Sequence, residues 1–180
     1  VDSSATGDFK GIDNEKEALE FLREVRNSQA SAVALDTETT SLYPRDGYVL
    51  GISISYKPKH GRYILSDVLT EEHISLLQEI LDNYQIVFHN RTFDQKMLEY
   101  HFGLKFMPDC DDTMVEHYML DESTGTHGLK LLAIKHTQYG DYDKSLEEFR
   151  EEYCKSNGIS RDDFTYDLIP YDVISKYAAI

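Results

Sequence analysis

Ala32-Val33-Ala34-Leu35-Asp36-Thr37-Glu38 decides how this chain is read: a short apolar run ends in two carboxylates two residues apart. In an extended strand successive side chains point to opposite faces, so Asp36 and Glu38 share one face while Thr37 takes the other. Two acids leaving the tip of a buried strand on one face can converge on a cation, because hard divalent ions take carboxylate oxygens as ligands. Acid-x-acid pairs are common in a chain with 33 acidic residues among 180. The weight of this one therefore comes from its surroundings.

Working outward, residues 1–11 are polar and contain glycine, which predicts a linker or tail, with one domain over 12–180. Ala18, Leu19, Phe21, Leu22 and Val25 recur at helical spacing over 15–27. Extended runs are predicted at 31–38, at 48–56 with alternating Leu50, Ile52 and Ile54, and at 62–65. Thr70 caps a helix through Leu81, and a fourth extended run covers 85–89. Helical patterns then fill 93–102, 113–120, 129–136, 145–156 and 171 onward. Three strands, a helix, a fourth strand and a run of helices predict an α/β fold resembling the ribonuclease H type. The expected core is a mixed five-stranded sheet with flanking helices.

The length suits one domain able to bury a core. The two cysteines, Cys110 and Cys154, lie far apart without metal or redox spacing. With no secretory leader and no apolar run long enough to span a bilayer, the expectation is a reduced, cytoplasmic, monomeric protein without a membrane partner. A chain beginning at Val1 reads as part of something longer. A net charge of −15 excludes a free-standing binder of phosphate backbones built on clustered lysine and arginine. It does not exclude a nuclease, whose carboxylates meet phosphate through divalent cations.

Two further constellations follow the first. In Val87-Phe88-His89-Asn90-Arg91-Thr92-Phe93-Asp94 an apolar strand ends and a helix begins, placing Asp94 in a first helical turn. Acids are common there because they complement the helix dipole, so this position also has an ordinary explanation. At the end of the chain stands Tyr177-Ala178-Ala179-Ile180, by itself a helix fragment with a packing tyrosine. Taken in order, Asp-x-Glu, Asn-x-x-Phe-Asp and Tyr-Ala-Ala resemble the three motifs of tyrosine-type DEDD 3′→5′ exonucleases. The proofreading domain of bacteriophage family A DNA polymerases is the nearer likeness. Asp36 to Leu42, Asn90 to Asp94 and Asp112 to Leu120 resemble its motifs. Residues 48–55, 125–130 and 163–170 are similar to polymerases of the T-odd coliphage type.

The resemblance implies hydrolysis of single-stranded DNA 3′ ends with two divalent ions, Mg²⁺ or Mn²⁺. Asp36, Glu38 and Asp94 would be the metal ligands, and Tyr177 would orient the attacking water. Thr39, Leu42, Asn90 and Phe93 resemble positions beside the terminal nucleotides, and a polymerase domain of the same chain is the implied partner. The family's late motif runs Tyr-x-x-x-Asp, and that aspartate would fall just after Ile180, so the domain is expected to be truncated within its third motif. Two alternatives stay open: a ribonuclease D-like RNA exonuclease, and a catalytically silent module that holds DNA.

His136 and Asp141 copy the spacing of the histidine-type branch of the superfamily, but a glycine-broken, tyrosine-rich segment between them predicts a loop. The remaining histidines lack metal-ligand spacing and are expected in core or surface roles. Glu147, Glu148, Glu151 and Glu152 read as the solvated face of a helix whose Leu146, Phe149 and Tyr153 point inward.

Overall fold

A computed structural model describes residues 6–180. Its sheet contains β1 (Asp8–Ile12), β2 (Ala32–Thr39), β3 (Val49–Ser55), β4 (His60–Leu65), β5 (Gln85–Phe88) and β6 (Asp111–Asp112) in the order β1-β4-β3-β2-β5-β6. β2 and β4 run antiparallel to β3, while the β1/β4, β2/β5 and β5/β6 pairs are parallel. The mixed α/β sheet thus has six strands rather than the expected five. β1 forms inside the supposed linker because Asp8 to Ile12 pair with His60 to Ile64, and Arg62 bonds the Asp8 carbonyl at 2.8 Å and its carboxylate at 2.8 Å. Residues 1–5 of that stretch lie outside the described residues.

Helices α1 (Glu15–Asn27), α2 (Glu71–Asn83) and α3 (Arg91–Phe102) cover one face. Their apolar stripes meet Val33, Leu35, Ile52, Ile54 and Ile86 in the main core. Asn14 caps α1 by accepting the Glu17 N–H at 2.9 Å. At α2 the Thr70 N–H donates to His73 Nδ1 at 3.0 Å, and the Nε2–H that this tautomer carries reaches the Glu15 carbonyl at 2.9 Å. One buried histidine therefore joins two helix ends.

The opposite face is covered in part. There α6 (Lys144–Asn157) and α7 (Tyr171–Ala178) gather Tyr63, Leu146, Phe164, Ile169 and Ile174 into a smaller core. Neither these helices nor α4 (Thr113–Leu120) and α5 (Leu129–His136) bury Ala34 of β2, which stays exposed.

Alternation predicted Leu50 on the face of Ile52 and Ile54, and the structure corrects this. Glu38 pairs with Gly51 but Thr39 pairs with Val49, so β3 carries one extra residue at that point. The bulge turns Val49 into the main core and sends Leu50 to the smaller one. It lies directly beside the paired acids.

Candidate active site

The end of β2 builds the site. Thr37 faces the helices, so Asp36 and Glu38 face the partly open side, opposite Ser53 and Gly51 of β3. A Cβ on Gly51 would overlap the Tyr63 ring, so glycine makes room for that ring beside Glu38. A cavity of about 280 Å³ opens over this face, lined by Asp36, Glu38, Ser53, His89, Tyr142 and Tyr177.

Asp94, from the first turn of α3, does not line that cavity; its carboxylate accepts the Thr37 N–H at 3.0 Å and the Thr37 hydroxyl at 2.6 Å. Glu38 is 5% exposed and Asp94 1%, a burial that makes isolated negative charge costly. Burial pushes Asp36 up to about 6, against the Thr37 backbone hydrogen bond. Glu38 is raised well above the carboxylate range, first by burial and then by the charges of Asp36 and Asp94. Asp94 is pushed up to about 7 by burial and by Asp36, with its bonds to Thr37 pulling the other way.

The three acids therefore feel one another's charge. Clustered carboxylates of this kind hold protons or cations at neutral pH, because like charges cannot all ionise together uncompensated. Among the described residues no three histidine, cysteine, aspartate or glutamate side chains stand together as a ready-made ligand set. The donor chemistry nevertheless suits a hard divalent ion. The buried hydroxyls of Ser53 and Tyr63 have no hydrogen-bond partner among the described residues, and a hydrated ion beside them would supply one.

Tyr177 projects from α7 over the same cavity, stacked on Tyr142 with ring centroids 5.6 Å apart and planes at 9°. Burial first, and the negative charge of Glu38 next, hold the Tyr177 phenol far above its usual range, and Tyr142 is pushed up to about 12. Tyr177 is accordingly a neutral hydroxyl that can donate or accept a hydrogen bond, not a base.

The other expected residues divide. Leu42 stands in the loop after β2, 75% exposed. Thr39 shapes that loop by donating its hydroxyl to the Ser41 carbonyl at 2.9 Å. Asn90 is exposed in the left-handed region, φ 72° and ψ 53°. Phe93 packs partly against the main core. His136 ends α5, Asp141 lies in the loop beyond it, and neither lines the cavity. Sequence reasoning missed Tyr142, whose sole signal was the tyrosine-rich loop.

An acidic cavity on the open side of a ribonuclease H-like sheet is the setting of a nuclease, and comparison with known proteins gives the family. The profile described as the 3′–5′ exonuclease of type A DNA polymerases matches residues 9–179, and the chain belongs to this family. It is 50% identical over 180 residues to the DNA polymerase of Escherichia phage T5, covering 96% of this chain and 21% of that protein. To DNA polymerase I of Borreliella burgdorferi it is 30% identical over 162 residues, covering 82% of this chain and 18% of that one. The chain thus spans about a fifth of these relatives' length. Among solved structures, Escherichia coli RNase D superposes with TM-score 0.62 at 18% identity, covering 96% of this chain and 41% of that one. Brucella melitensis NrnC with bound Mg²⁺ does so with TM-score 0.57 at 20% identity, covering 86% of each. These two likenesses establish the fold.

Proposed function

We propose that this chain is the proofreading unit of a phage-type polymerase, removing nucleotides from single-stranded DNA 3′ ends with two divalent ions, Mg²⁺ or Mn²⁺. The observation that carries the reading is Asp36, Glu38 and Tyr177 around one cavity, with Asp94 coupled to both acids by charge. Bound at these carboxylates, the ions would lower the pKa of the attacking water and offset charge on the leaving oxygen. Asp36 and Glu38 offer oxygens on a single strand face. Asp94 completes the acidic set from α3. Tyr177, neutral and braced by Tyr142, orients the water by its hydroxyl. Leu42 and Asn90, both exposed, would meet the terminal nucleotides. In the parent protein a polymerase domain supplies the strand, and the host cytoplasm is where a phage polymerase would act.

The test supplies 5′-labelled single-stranded DNA and RNA of one sequence with Mg²⁺ or excess Mn²⁺, alongside calorimetric titration of Mn²⁺. Stepwise shortening of DNA from its 3′ end, abolished together with Mn²⁺ binding in Asp36→Ala, is the expected result. Preferential shortening of RNA would instead support the ribonuclease D-like alternative. Neither cleavage nor Asp36-dependent Mn²⁺ binding would leave a silent module.

A further inference from the structure

Asn90 occupies the N-cap position of α3 but does not behave as a cap. N-cap residues are normally extended and use their side-chain oxygen to accept an amide of the first turn. Asn90 is left-handed, and its exposed side chain makes no capping bond. The free amides are instead taken by Asp112, far along the chain. Its Oδ1 accepts the Asn90 N–H at 3.0 Å and the Met114 N–H at 3.0 Å, and its Oδ2 accepts the Arg91 N–H at 2.8 Å.

The surroundings hold this carboxylate in place. Asp112 pairs with Phe88 across β5 and β6. The next residue, Thr113, donates its hydroxyl to the Phe88 carbonyl at 3.1 Å and sits 2.9 Å from His89 Nδ1. From the α3 side, the Arg91 guanidinium returns hydrogen bonds to the carbonyls of Met107, Pro108 and Cys110 at 3.0, 2.9 and 3.0 Å. The segment before Asp112 and the start of α3 therefore grip each other in both directions.

We infer that Asp112 is a positioning residue of this site: by capping α3 in place of Asn90, its carboxylate holds the left-handed turn that sets Asp94 against Thr37. Its bearing on catalysis rests on the proposed exonuclease function; the positioning itself does not.

Amide hydrogen exchange on the metal-free, ¹⁵N-labelled protein tests it, because the Thr37 N–H bonds Asp94 and reports where that carboxylate stands. In Asp112→Ala the amides of Asn90, Arg91, Met114 and, at a distance, Thr37 should exchange about tenfold faster or more, the loss expected when one hydrogen bond is removed. Ile52 and Ile54 should keep wild-type protection. Adding Asn90→Gly, which adopts the left-handed turn without steric cost, should restore Thr37 protection. Mn²⁺ titration of the same proteins should show weaker binding in Asp112→Ala and recovery in the double variant. Unchanged Thr37 protection in Asp112→Ala would overturn the inference, and so would uniform acceleration across the sheet, which marks a purely structural role. Wild type that binds no Mn²⁺ would refute the proposed function while the exchange result still decides the role of Asp112.

Discussion

Replacing Asp36 by asparagine should stabilise the metal-free protein at alkaline pH, and by an amount that the site's electrostatics bound. Burial raises Asp36 from its ordinary 3.8 to about 6 and, helped by Asp36, Asp94 from 3.8 to about 7. An acid whose pKa is higher folded than unfolded binds more protons when folded, so stability is fully present below about pH 4 and is lost as pH rises to about 7. At about 1.36 kcal/mol per pH unit, the Asp36 displacement corresponds to a ceiling of about 3 kcal/mol. Asparagine keeps the shape and removes the charge, so Asp36→Asn should gain up to about 3 kcal/mol over wild type at pH 8. For a domain of this size that raises Tm by up to roughly 10 °C. At pH 4 the gap should fall below about 1 kcal/mol. Urea unfolding in EDTA at pH 4, 6 and 8 measures it, with equal m-values as the check that both proteins unfold alike. Excess Mn²⁺ should then reverse the order, since a ligand bound only by the folded wild type stabilises it alone. Equal stability at pH 8, or a gap that does not change with pH, would refute the picture of mutually repelling buried carboxylates.

Thr37→Val removes the hydroxyl that Asp94 accepts at 2.6 Å but leaves the N–H. It should cost about 1.5–3 kcal/mol at pH 8, where that carboxylate is ionised, and less at pH 5, measured by chemical denaturation at the two pH values. Gly61→Ala should cost about 1–3 kcal/mol, because the new Cβ would overlap the Ala179 carbonyl oxygen and α7 must shift. Its check is a lowered Tm together with early proteolytic cleavage around α7, and an unchanged melting curve would contradict the packing described.

How much of this was legible in the sequence depended on whether the signal was local. The apolar run into Asp36 and Glu38 predicted both the strand and the shared face, because side-chain alternation is a property of the strand alone. The spacing of Ala18, Phe21, Leu22 and Val25 likewise gave the buried stripe of α1. β1 was hidden because Asp8, Lys10 and Gly11 have no strand preference of their own; pairing with β4 and the reach of Arg62 make the strand. The two residues of β6 exist as a strand only through β5. Leu50 followed the predicted alternation until the bulge opposite Thr39 reversed it. In the site, Asp94 could be placed at a helix start from sequence, but its turn towards Thr37 could not. Tyr142 and Asp112 arrive from loops and short pairings, so their roles are set by tertiary contacts that no local pattern encodes.

The same distinction resolves the conflict between a net charge of −15 and the proposed nucleic-acid substrate. Charge summed over a chain governs non-specific attraction to phosphate, whereas chemistry at a 3′ end depends on the few groups within reach of the bond. Here those groups are acids whose burial and mutual repulsion already make protons welcome near neutrality. A divalent cation relieves the same repulsion more effectively, and its binding must displace those protons. The acidity that discourages indiscriminate binding to the backbone is therefore what makes the strand end of β2 receptive to a cation, and a phosphate can approach once that cation is in place.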